Sequence, residues 1–246
     1  MDQEGQATPL SRISTLWSVV CRAHDGEPQA VNAAQQELIG RYSRAIHRYL
    51  LGAVRDPEAA EELSQEFALR FIRGDLRGAD PERGRFRDFV KGVLFHLIAD
   101  HHRRRARSPS LPAGLPEPAD DPAQLERQFV NSWREEMLNR TWEALARVEQ
   151  RTGRAFHTVL RLKADHPQLR SAQMAERLAR QLGKPVTAAS VRQTLHRARE
   201  KFVDLLVEEV LHTLREPNVD KLEQELIDLG LHGYCKEALQ RYRGKP

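Results

Sequence analysis

The sequence predicts an all-α protein: two helical domains joined by a proline-rich linker. Three observations carry this. Almost every long segment of the 246 residues repeats its apolar positions every three or four residues, the spacing that lines one face of a helix. Aromatic residues make up only 6% of the chain against 40% hydrophobic residues in all, which suits small helical cores better than one large sheet. Residues 106–124 hold Pro109, Pro112, Pro116, Pro118 and Pro122, and proline lacks the amide hydrogen and the steric room that a continuous helix needs.

In chain order, Ile13, Leu16, Trp17 and Val20 form a short first stripe, followed by a loop at Asp25-Gly26-Glu27-Pro28. Leu38, Tyr42, Ile46 and Tyr49 form a second. A third helix starts at Asp56-Pro57. Asp56 caps it, Pro57 suits the first helical position, and acidic residues fill the first turn. Leu63, Phe67 and Phe71 continue this helix, and a loop runs from Gly74 past Gly78 to about Gly84. The fourth helix carries Phe86, Phe89, Val90, Val93, Leu94, Leu97 and Ile98, and it ends in a basic tail. The linker then reads as extended and exposed, with an acidic second half unsuited to touching DNA.

Helical spacing resumes at Trp133, Met137, Thr141, Leu145 and Val148. A further segment, with Phe156, Val159 and Leu160, stops near His166-Pro167. Met174, Leu178 and Leu182 recur every four residues, and Gly183 stops that helix. Lys184-Pro185-Val186 makes the turn, and Thr187 caps a helix over 187–206 whose apolar face is Val191, Leu195, Ala198 and Phe202. After Pro217 a last amphipathic stretch runs through Val219, Leu222, Leu226, Leu229, Tyr234 and Leu239. The expected organisation is a first helical domain over 1–105, a linker over 106–126, a helix-turn-helix domain over 127–210 and a helical extension over 211–246.

Composition narrows the function. The net charge is only +4, but Arg103, Arg104, Arg105 and Arg107 cluster, as do Glu58, Glu61, Glu62 and Glu66. Local basic patches on a weakly basic chain fit nucleic acid better than membrane. Cys21 and Cys235 lie far apart with no Cys-x-x-Cys pair, which excludes a disulfide framework and points to a reducing cytoplasm. No apolar run reaches about 18 residues, and the acidic start, Met1-Asp2-Gln3-Glu4, is wrong for a secretory leader. Glycine-rich phosphate loops and the Gly-x-Ser-x-Gly elbow are missing from the sequence, so a non-enzymatic protein without cofactor is expected. His96, Asp100, His101 and His102 raise a metal reading, but arginines crowd them and no matching ligands occur elsewhere, so no metal is expected.

The stretch 187–206 pairs an apolar face with Arg192, Gln193, His196, Arg197, Arg199 and Lys201. Arginine and lysine reach phosphates and guanine edges, and glutamine pairs with adenine. Thr187 and Ser190 stand at the helix start, where a phosphate can be bound. The same pattern also fits a solvated amphipathic helix with surface arginines. The preceding helix, with Ala175 and Ala179 for close crossing and Gly183 at the turn, makes a helix-turn-helix module with 187–206 as its recognition helix.

At Val191-Arg192-Gln193-Thr194-Leu195-His196-Arg197-Ala198-Arg199 the chain resembles the end of region 4 in extracytoplasmic-function (ECF) sigma factors of RNA polymerase, the sigma-70 family. That family has a Val-Lys-x-x-Leu-x-Arg-Ala-Arg pattern there. Arg192 takes the lysine place, and Thr194 stands where a basic residue is frequent. The resemblance implies that this helix reads the −35 promoter element in the major groove.

Residues 56–73 are similar to region 2.2 of the same family, with Glu62, Leu63, Gln65, Glu66 and Phe67 on its pattern. There the resemblance implies binding to the clamp helices of the polymerase β′ subunit. The residues themselves fit either a solvated acidic helix or, with Gln65 and Glu66 beside Phe67, an interface whose apolar anchor is ringed by polar groups. Residues 84–107 resemble regions 2.3 and 2.4, with Phe86 and Asp100 matching, Phe89 in a tryptophan place and His96 in an asparagine place. Holding non-template bases out of a duplex needs stacking surfaces and neutralised phosphates. Phe95 and His96 are the candidates for base contact, and Arg85, Arg87, Lys91, Arg103, Arg104 and Arg105 for phosphates. Phe95 serves equally as a core residue, and the arginine run as a solvated helix end.

The resemblance spans about residues 36–105 and 134–206. It implies core RNA polymerase as partner, through the β′ clamp helices and the β flap, together with promoter DNA and an anti-sigma factor or other regulator. The extension past Pro217 packs on the second domain, masks its DNA face or binds a regulator. Two other readings stay open: a stand-alone helix-turn-helix regulator, and a protein-binding module acting through that extension.

Overall fold

The computed structural model describes residues 28–73, 85–107, 121–183, 185–214 and 217–243. Among them every regular element is an α-helix. In chain order these are α1 (Pro28–Val54), α2 (Pro57–Arg73), α3 (Phe86–Ala106), α4 (Pro122–Thr152), α5 (Phe156–Asp165), α6 (Ser171–Leu182), α7 (Ala188–Thr213), α8 (Val219–Asp228) and α9 (His232–Arg243). The expected stripe at Ile13–Val20 and the loop from Gly74 to Gly84 lie outside the described residues.

Local chemistry explains the helix ends. Asp56 Oδ1 accepts from the amides of Glu58 at 3.0 Å and Ala59 at 3.3 Å, capping α2 at the position read from sequence. Gly183 takes a left-handed φ of 64° and ends α6, a conformation that costs glycine no Cβ clash. Three boundaries depart from expectation. Pro122, grouped by sequence with the linker prolines, is the first residue of α4. Asp121 Oδ1 accepts from the amide of Ala123 at 2.9 Å, and a proline at the first helical position loses no bond. The helix expected over 187–206 runs on to Thr213 rather than stopping near residue 206. The C-terminal stretch is two helices, because Gly230 turns left-handed at φ 66°. The amides of Leu231 and Gly230 bond back to the carbonyls of Leu226 and Ile227, a Schellman closure.

The chain divides into two compact units, along lines that differ from the domain boundaries expected from sequence. One comprises the described residues up to Glu136 together with Val210–His232, the other Met137–Glu209 with the chain from Gly233. In the first, Trp133 stacks on Tyr42 with centroids 4.6 Å apart, and Phe129 meets Tyr49 edge-on at 5.2 Å. Leu50, Leu63, Leu94 and Leu97 fill the same core. α8 contributes Leu222 and Leu226, and Leu229 follows at its C-cap, all at 1% exposure or less. Each such leucine is worth about 1.5–3 kcal/mol of burial, so α8 is a fixed part of this unit.

In the second unit, Val159 of α5, Met174, Ala175 and Leu178 of α6, and Val191 and Leu195 of α7 form one cluster. Leu145 and Val148 join Phe156, Ala198 and Leu205 in another. α9 buries Cys235, Ala238 and Leu239 and is tied to α7 by Arg241 and Asp204 at 2.7 Å. Burial pushes the Cys235 thiol up to about 11, so it stays protonated and serves as core. No helix among the described residues is long and apolar enough to cross a membrane.

Candidate nucleic-acid interface

α3 is charged at both ends, and the ends differ. Arg85, just before the helix, donates to Asp88 at 3.1 Å, to Glu225 Oε2 at 2.6 Å and to Asp228. Arg87 lies 3.2 Å from Glu225 Oε1 through Nε and 3.5 Å from Asp228 through Nη2. The side chains of Arg87 and Glu225 are only 5% and 1% exposed. Burial dominates at Glu225 and pushes its carboxyl above the usual range, against the pull of Arg87 and Arg85. Asp228 is less buried; the hydrogen bonds from Arg85 and Gln224 overcome its own desolvation and hold it below the usual range.

Further along α3, Lys91 reaches Glu126 at 3.0 Å. Phe95 is half-buried, 6.3 Å from the Tyr49 ring, while His96 is exposed. At the far end Arg103 pairs with Asp100 and Arg104 with Glu66 at 3.3 Å. Arg105 lines a cleft with Glu62, Leu63, Glu66, His101 and Arg104. Burial first, then Arg105 and Arg104, lower the His101 imidazole pKa, favouring the neutral form. Among the described residues no group of three or more histidine, cysteine or carboxylate side chains is arranged to hold a metal ion.

α2 lies beside this end. Glu62 and Gln65 are exposed, and Gln65 donates to Glu61 at 2.9 Å. Glu66 also pairs with Arg70.

Residues 38–108 match the family model of sigma-70 region 2. The match supports a sigma-70 family protein, and that domain belongs to transcription initiation rather than to a catalytic family. No curated protein and no solved structure matches the chain.

Within the region 2 segment the side chains sort differently from the sequence reading at three positions. Arg87 is buried against Glu225, not presented to solvent. Leu63 and Phe67 are core residues at 2% and 7% exposure, because the stripe Leu63, Phe67, Phe71 turns inward. Phe67 and Phe71 line one apolar cleft with Leu38, Tyr42 and Phe86 there. The apolar groups that α2 does expose are Leu69 and Ile72, each 49% exposed. Sequence reasoning passed over them because they lie off the main stripe. It also passed over Glu225 and Asp228, although Glu225 falls on the apolar face of Leu222 and Leu226, where a carboxylate needs a partner.

The second unit presents α7. Val191, Leu195 and Ala198 face its core, while Arg192, Gln193, His196, Arg197 and Arg199 are exposed and Lys201 is half-buried. Thr187 and Ser190 form a reciprocal cap. Thr187 Oγ1 accepts from the Ser190 amide at 3.1 Å, and Ser190 Oγ donates to the Thr187 carbonyl at 2.9 Å. Their hydroxyls start the helix. Ser190, Gln193, Thr194 and Arg197 border one surface cleft with Arg154, and His196 lies 3.7 Å from Glu200.

Proposed function

We propose that the chain is an ECF-type sigma factor that binds core RNA polymerase in the cytoplasm and directs transcription initiation at promoters. The observation that carries this is the region 2 match over α1–α3. The arrangement of α6 and α7 supports it: a helix, a left-handed glycine and a second helix with a buried apolar face and an exposed basic one. That is the layout of a helix-turn-helix reader.

On this reading α3 handles the −10 element. Its far end, with Arg103, Arg104 and Arg105, neutralises phosphates, and His96 and Phe95 face the separated bases. α7 reads the −35 element through Arg192, Gln193, His196, Arg197, Arg199 and Lys201. α2 docks on the β′ clamp helices through Glu62, Gln65 and Glu66, with Leu69 and Ile72 as the apolar contacts. The second unit reaches the β flap, and an anti-sigma factor or other regulator controls access. Non-specific duplex affinity should be weak without polymerase. Titrating purified chain onto core enzyme, with a labelled promoter fragment present, tests this. DNA retention that requires both proteins is expected; tight operator-like binding by the chain alone contradicts it and favours a stand-alone regulator.

A further inference from the structure

The start of α3 gathers two arginines and three carboxylates: Arg85 and Arg87 against Asp88, Glu225 and Asp228. Its formal charge is negative, so it repels a phosphate rather than attracting one. The far end carries Arg103, Arg104, Arg105 and Arg107 within one turn and a half.

Glu225 cannot yield its place to DNA cheaply. It lies between Leu222 and Leu226 on a helix face with no solvent exposure. Freeing it means withdrawing that face from the core. In return an arginine would exchange one anionic partner for another, with little net gain. The Arg85 and Arg87 guanidiniums are therefore committed within the fold. They flank Phe86, whose ring lies 5.4 Å from Tyr42 and 6.2 Å from Trp133, so the ion cluster fixes where α3 begins and how it is rotated.

We propose that Glu225 and Asp228 are positioning residues for the promoter-opening helix. They take the place of phosphate on Arg85 and Arg87, set the rotation of α3, and confine the DNA backbone to the helix's far end. α8, distant in sequence, thereby becomes a working part of region 2. This rests on the sigma-factor reading.

The test uses the full chain in complex with core polymerase and a promoter carrying 2-aminopurine in the −10 region. Arg85→Gln should leave the slope of log affinity against log salt unchanged, whereas Arg105→Gln should lower it by about 0.7, the single-strand value. A comparable drop for Arg85→Gln overturns the proposal. Asp228→Asn should reduce promoter opening several-fold while polymerase binding is retained, and Asp228→Glu should restore it. Unchanged or increased opening in Asp228→Asn overturns the positioning role. Hydrogen exchange on the unmodified complex needs no variant: α8 amides should stay protected when promoter DNA binds, and their deprotection would show that DNA displaces the helix. Failure of the unmodified complex to open any promoter counts against the sigma-factor reading itself, separately from these arms.

Discussion

Arg85 donates through Nη1 to Glu225 at 2.6 Å across a sequence separation of 140 residues. The bond joins the start of α3 to α8 inside one compact unit. It ties α8 to the compact unit that holds the segment matched by the region 2 model.

Removing the negative partner should be costly. Glu225→Ala leaves Arg87 charged, buried and short of its main counter-ion. Breaking a buried pair in this way destabilises by about 3–5 kcal/mol. Urea unfolding of the variant should show a lower midpoint with little change in slope. A loss below about 1 kcal/mol would place the pair with ordinary surface bridges.

The pH dependence separates the two acids. Asp228 has a lowered folded pKa, so its stabilisation is complete above its unfolded value, about 3.9. It is lost as pH falls through the lower folded value. Glu225 has a raised folded pKa, so its folded state gains protons first on acidification and it opposes the loss. The stability gap between the unmodified chain and Asp228→Asn should therefore be full at pH 6 and close towards pH 3. A gap that widened on acidification would contradict the assignment.

The exposed apolar pair on α2 gives a test of docking. Leu69→Ser with Ile72→Ser removes two side chains that are each 49% exposed. Core packing should be spared, with stability changed by under about 1 kcal/mol. Affinity for core polymerase should fall at least tenfold, about 1.4 kcal/mol, in a binding titration. Unchanged affinity would remove this face from the interface.

Truncation distinguishes the roles of the extension. Deleting 217–246 takes Leu222, Leu226 and Leu229 from the first unit's core. Thermal unfolding should shift markedly downward, and promoter opening should be lost. Retained or enhanced activity would mean that α8 only masks a surface.

Much of this architecture was legible in the chain. The stripe Leu38, Tyr42, Ile46, Tyr49 is buried throughout, because a long helix beside a core has little choice of face. The Asp56 cap and the Gly183 stop were readable because both act locally. Pro122 misled, since the same residue that breaks a helix interior begins one, and Asp121 beside it decided the matter. The Arg87–Glu225 pair was not legible as a pair, because periodicity assigns a face but not the partner of that face. Each half left a trace all the same: Arg87 shares the face of Val90 and Leu94, and Glu225 shares that of Leu222 and Leu226. A charge on an inward stripe in two separate helices, with opposite signs, marks a buried match. Arg192, Gln193, His196, Arg197 and Arg199 on α7 are exposed, in keeping with their spacing, and Lys201 is half-buried, whereas the candidates on α3 divide between solvent and ion pairs, which depends on neighbours far along the chain.

In vitro transcription from a fragmented genomic library, using core polymerase with and without the purified chain, tests the central claim most directly. Sequenced transcripts should begin downstream of shared −35 and −10 elements, only when the chain is present. Arg197→Gln in α7 should weaken them, and the salt slope on the −35 duplex should fall by about 0.9. An active core enzyme that yields no chain-dependent start sites would contradict the account.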